Sequence, residues 1–159
     1  MNARSYFSVT VLYLLHWTSY ALEDAKVLTA IGLVETGMKR EAVGDIVKKK
    51  PTAFGCYQMH KGTWEDGNEQ LMREGYIPWN LTQWRVDIAQ DMVASAYLRF
   101  IRQQLANRGI KKPTVEQMAL VWNLGFNGAL KYNFNYQLAP ALKSDYCQRV
   151  GNIYRDLIK

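Results

Sequence analysis

Leu33-Val34-Glu35-Thr36-Gly37 and, after a basic segment punctuated by Gly44 and Pro51, Ala53-Phe54-Gly55-Cys56-Tyr57-Gln58-Met59 are the two stretches whose reading decides the fold. Upstream of Glu35, Leu28, Ile31 and Val34 recur at helical spacing, and Glu23 and Asp24 sit in the first turn. This predicts a helix over 23–35 that Gly37 stops at its C′ position. Glu35 therefore lies at a helix C-terminus, where unpaired carbonyls and the dipole disfavour a further negative charge. Ile31 and Val34 add partial burial, which favours the protonated acid as well. Gly55 opens a turn that carries Tyr57 and Gln58, two side chains suited to holding a polar polymer.

Working outward, residues 38–59 read as irregular, with room for a short hairpin. A brief helix follows Gly62. Asn80-Leu81-Thr82 opens a long helix to about Asn107, with Ile88, Met92, Ala96 and Phe100 at four-residue spacing and Gly109 as its stop. Thr114 and Gln117 form a capping box for the next helix, which carries Met118, Val121 and Trp122 and stops near Gly125. Asn127-Gly128 and the aromatic, Asn-rich run Tyr132 to Tyr136 read as loop, and a last helix spans about Ser144 to Ile158. There is no repeat, linker or low-complexity segment. Periodicity alone gives a mainly helical single domain.

The composition agrees. The chain has 159 residues, 48% hydrophobic and 21% charged, enough for one domain with a core and unlike a disordered chain. Its charge is +6 and its pI about 9.3, which suits a polyanionic partner. Helix-turn-helix spacing, zinc ligands and aromatic RNA motifs are lacking, so nucleic acid is not the expected partner. Lys48-Lys49-Lys50 reads as a solvated loop. Five Trp and ten Tyr are rich for this length, and flat rings with one polar handle suit sugars as well as cores.

Residues 1–21 read as an export signal. One positive charge at Arg4 precedes an apolar stretch over Val9 to Leu15, too short for a comfortable span, and Ser19-Tyr20-Ala21 offers a cleavage site. The competing reading is an N-terminal helix or an uncleaved anchor. Cleavage after Ala21 removes one Arg and no acid, and leaves a domain over 22–159 with a charge of +5.

A third segment, Val121-Trp122-Asn123-Leu124-Gly125, completes a pattern. With Glu35-Thr36-Gly37 and Gly55-Cys56-Tyr57-Gln58-Met59 it resembles the soluble lytic transglycosylases, lysozyme-like enzymes that cleave bacterial peptidoglycan. The family motifs run Glu-Ser-Gly, Gly-Leu-Met-Gln-Ile and Ala-Tyr-Asn-Ala-Gly. Ser144-Asp145-Tyr146-Cys147-Gln148-Arg149-Val150 resembles the family's closing Thr-x-x-Tyr-Val-x-x-Val segment. The resemblance spans roughly residues 24–155 and is specific as a set of four segments, weak in any one.

The resemblance implies a lysozyme-like α+β fold, predominantly helical, and a reaction without metal or cofactor. Glu35 acts as acid on the bond between N-acetylmuramic acid and N-acetylglucosamine, then as base on the muramoyl C6 hydroxyl, closing a 1,6-anhydro ring. Gln58 and Asn123 match family residues at the sugar, and Tyr146 matches the Tyr that hydrogen-bonds the acid. Thr36 stands for the family Ser. Tyr57 either stacks on a sugar or packs, and Trp122 replaces a Tyr and its hydroxyl. Gly55 gives close backbone approach. Cys56 and Cys147 each adjoin a residue that the resemblance places near Glu35, so a disulfide is one expectation and two buried thiols the other. The implied setting is periplasmic or extracellular. The implied partner is the glycan strand, met by a monomer, with a secretion or conjugation apparatus as a further partner.

Three other readings stand beside it. A hydrolytic muramidase or a chitinase needs a second carboxylate, for which Asp45 is the nearest candidate; Glu65 and Asp66 are weaker ones, on a helix surface. A non-catalytic wall-binding protein on the same fold has no need of Glu35. A helical DNA-binding protein explains the charge and leaves the amino terminus unexplained.

Overall fold

The computed structural model describes residues 22–159. The export-signal reading of residues 1–21 lies outside the described residues. Helix α1 covers 22–36. It is followed by strands β1 (Val43–Val47), β2 (Lys50–Phe54) and β3 (Met59–His60), then by helices α2 (Lys61–Arg73), α3 (Asp87–Asn107), α4 (Val115–Leu130) and α5 (Ala141–Leu157). The strands form one antiparallel sheet in the order β1-β2-β3, with Val43 opposite Phe54 and Phe54 opposite Met59. The class is α+β and mostly helical.

The core is built around α3 and α4. Met118 to Trp122 are buried in succession, so this part of α4 is apolar all round and lies inside the domain. Around it pack Val27, Ala30 and Ile31 of α1, Val93, Leu98 and Ile101 of α3, and Val150 of α5. Helices α2 and α3 meet at Gly67, where a Cβ would run into the Val93 carbonyl oxygen at 2.6 Å. Two ion pairs fix the helices further. Arg102 of α3 donates to buried Asp24 of α1 at 2.9 Å, and Arg99 donates to Glu74 at 2.7 Å.

Several expected boundaries hold. Gly37 has φ 65° and its N–H reaches the Leu33 carbonyl, ending α1. Thr114 and Gln117 cap each other reciprocally. Gly109 (φ 86°) ends α3. The hairpin lies in the irregular segment and gains a third strand.

Other boundaries are corrected. The capping box at Asn80 closes a 3-10 turn over Leu81–Gln83, and α3 starts only at Asp87. Of the expected series on α3, Ala96 is buried and Met92 and Phe100 pack against the core, while Ile88 is 59% exposed; Ala89, Val93, Tyr97 and Ile101 are also buried. Helix α2 is thirteen residues long and begins at Lys61. The helical run does break at Gly125 (φ 69°, ψ 167°), as expected, but a second helical piece resumes beyond it, so Asn127-Gly128 are helical rather than loop. Helix α5 begins at Ala141, after Pro140.

Candidate active site

The Gly37 stop leaves Glu35 in the last turn of α1, with its carboxylate facing a polar cleft of about 180 Å³. Burial raises the Glu35 carboxyl above its usual range. The hydroxyl of Tyr146, from α5, donates to Glu35 Oε1 at 2.7 Å and pulls the other way. Asp45 adds to the elevation, while Lys143 and His60 oppose it. The balance remains upward, so the acid carries a proton further toward neutral pH than a free carboxyl does. Burial also pushes the Tyr146 hydroxyl well above its ordinary value, so it stays a donor.

Opposite Glu35 lies the turn between β2 and β3. Gly55 (φ 75°) and Gln58 (φ 47°) both take left-handed backbone. Gln58 stabilises that shape itself, its Nε2 donating to the Gly55 carbonyl at 2.9 Å. The turn is held from two sides. Thr36 of α1 donates its hydroxyl to the Cys56 carbonyl at 2.9 Å, and also accepts from the Lys39 N–H. Gln90 of α3, fully buried, accepts from the Cys56 N–H and donates to the Arg40 carbonyl, each at 2.9 Å. A Cβ at Gly55 would collide with the Gln90 amide, which is the physical reason for glycine here.

Tyr57 packs rather than lining the cleft. Its ring is buried, 6.4 Å from Trp122 in an edge contact, and its hydroxyl donates to Asp91 at 2.8 Å. Arg40 grips the same Asp91 through both terminal nitrogens. Trp122 donates its indole N–H to the Tyr57 carbonyl at 3.3 Å, which ties α4 to the turn while part of the ring lines the cleft. Asn123, next on α4, also lines the cleft, and its Oδ1 is buried with no hydrogen-bond partner among the described residues.

The expected residues thus divide by position. Glu35, Gln58, Trp122, Asn123 and Asp45 share the cleft wall. Tyr146 lies directly behind Glu35. Thr36, Gly55 and Tyr57 lie outside the lining and build its frame. Asp45 enters from β1 with φ 46°, and His60 Nε2 stands 3.0 Å from its carboxylate.

The expected disulfide is corrected: Cys56 and Cys147 are free and buried. Cys147 follows Tyr146 and so points about 100° away from it around α5. It lies near Glu116 and Lys143, whereas Cys56 lies near Arg40 and Asp91. Burial pushes the thiols up to about 12 and about 11 respectively, leaving both protonated and unreactive at neutral pH.

Sequence reasoning missed His60, Thr63 and Lys143, all on the cleft wall, and Gln90 behind it. Lys143 had a signal: it lies three residues before Tyr146, hence on the same helix face. His60 directly follows the turn motif on β3. Gln90 had no local signal. No cluster of His, Cys, Asp or Glu able to hold a metal exists among the described residues. None of their helices is long and apolar enough to cross a membrane.

What the cleft can do chemically follows from these parts. It presents a proton donor of raised pKa, amide groups of Gln58 and Asn123 for hydroxyl or acetamido groups, and a second carboxylate. No protein-family model matches the chain, and neither a curated protein nor a solved structure matches it.

Proposed function

We propose that the chain is a lysozyme-like enzyme that cleaves the β-1,4 bond between N-acetylmuramic acid and N-acetylglucosamine in peptidoglycan, with Glu35 as its general acid and then its base. The observation that carries the reading is the Tyr146 hydroxyl on Glu35 Oε1 at 2.7 Å, within a cleft that also exposes Gln58 and Asn123. Four sequence segments that resemble one family converge there.

In this reading the cycle starts from the protonated form of Glu35, which burial favours. It gives the proton to the glycosidic oxygen as the bond breaks. The carboxylate left behind is stabilised by the Tyr146 hydrogen bond, which favours the charged form. It then takes the proton of the muramoyl C6 hydroxyl as that oxygen closes on C1. The product ends in 1,6-anhydromuramic acid, and Glu35 is again an acid. The substrate's acetamido group assists the cationic centre, so a second protein carboxylate is not required. The wall as setting, with export through residues 1–21, belongs to the same proposal.

A hydrolytic reading has one observation in its favour: Asp45 lines the same cleft as Glu35. A carboxylate there suits the activation of water. Mass spectrometry of products from purified peptidoglycan separates the two. Anhydro ends, one water lighter, support the transglycosylase. Reducing muramic acid ends, lost in Asp45→Asn, support the hydrolase. No product from folded protein overturns both.

A further inference from the structure

Lys143 takes no part in the chemistry described above, yet it sits in the cleft with Glu35. Helix α5 places it three residues before Tyr146, so that the two share a helix face. The side chain is half-buried, and its ammonium joins no ion pair among the described residues. The acids beside it already have partners. Tyr146 bonds Glu35, and His60 stands 3.0 Å from Asp45. A half-buried ammonium gives up part of its hydration, and no ion pair among the described residues returns it. Nor does Lys143 help the acid, because its charge lowers the Glu35 pKa and so opposes the elevation that proton donation needs. An anionic ligand in the cleft is a group that this cation could meet.

We propose that Lys143 makes the cleft selective for an acidic glycan, by binding a carboxylate carried on the muramic acid unit. This rests on the peptidoglycan reading and adds to it the property that separates muramic acid from plain N-acetylglucosamine. A chitin strand offers only neutral donors and acceptors, to which an ammonium adds nothing specific. A muramic acid unit carries a lactyl carboxylate, either free or extended by an acidic stem peptide. Both sources present a carboxylate: the free lactyl group on a short arm beside the sugar or, where that group is amide-bonded to a peptide, an acidic group further along the peptide. An ammonium with three donors on a flexible stem suits such a mobile anion.

The test is calorimetric, on the full chain carrying Glu35→Gln so that nothing is cleaved. Peptide-free muramic acid oligosaccharide with its free lactyl carboxylate is compared with the same oligosaccharide as the lactyl methylamide. In parallel, peptide-bearing oligosaccharide is compared with a form whose peptide carboxylates are amidated. In one of the two pairs the acid form should bind about tenfold tighter, equivalent to about 1.4 kcal/mol. Which pair shows the preference identifies the source. Adding Lys143→Gln should abolish it, and Lys143→Arg should keep most of it. A preference that survives Lys143→Gln, or no preference in either pair, overturns the role of Lys143 and leaves the peptidoglycan reading in place. Failure to bind any of the four glycans overturns both.

Discussion

Replacing Glu35 by Gln should reduce cleavage by orders of magnitude and, at neutral pH, make the protein more stable. The carboxyl is raised in the folded state from a usual value of 4.5, chiefly by burial. Between that value and the raised one, the folded protein holds a proton that the unfolded chain has released. Stability therefore falls as pH rises through this window, and the deficit is complete above it. Each pKa unit of elevation corresponds to about 1.4 kcal/mol. For a domain of this length that is about 3–6 °C in Tm. Gln carries no charge to desolvate, and its carbonyl oxygen still accepts the Tyr146 hydroxyl. The assay is thermal unfolding of both proteins at pH 4 and pH 7.5. The variant should match the wild type at pH 4 and exceed it at pH 7.5, while cleavage falls by about 10²–10⁴ for loss of a general acid. Destabilisation at pH 7.5, or a difference that does not change with pH, would refute the claim that the carboxylate is desolvated.

Further outcomes follow from other parts of the site. Tyr146→Phe removes the hydrogen bond that favours the charged form, so the alkaline limb of the pH–rate profile should move upward, with a loss in rate of about tenfold. Gly55→Ala forces left-handed backbone on alanine and displaces the buried Gln90 amide; denaturant unfolding should show a loss of about 2–5 kcal/mol. Thiol labelling in denaturant without reductant should modify both Cys56 and Cys147, with little labelling of the native protein, as buried unpaired thiols require.

The local parts of this structure were legible in the sequence, and the relational parts were not. Glu35 before Gly37, the Gly55 turn and the Thr114 cap each depend on residues a few positions apart, so spacing exposed them. On α3 the expected series largely held: Ala96 is buried and Met92 and Phe100 pack against the core, while Ile88 in the first turn is exposed. The deeper series Ala89, Val93, Tyr97 and Ile101 has the same four-residue spacing one residue on, about 100° round the helix, so spacing alone did not tell the two apart. The capping box at Asn80 was real, but such a box also closes a 3-10 turn, and the long helix waited until Asp87. Tyr57 sat in a motif, and its inward direction was set by Asp91 and Trp122, which lie 34 and 65 residues away. Gln90 holds the turn across the same kind of distance and leaves no pattern near its own position.

The hydrogen bond between Glu35 and Tyr146 spans 111 residues of chain. It joins α1 to α5, and the entropy of closing so long a loop must be met before the contact returns anything. Synthesis runs from the amino terminus, so the acid is made early and its partner late. A chain interrupted before Tyr146 has the carboxyl but neither the donor that orients it nor the helix that covers it. The acid thus acquires its working environment only when the chain has been made through α5 and that helix has docked. On the proposed function, a chain that stops before α5 is expected to cleave nothing.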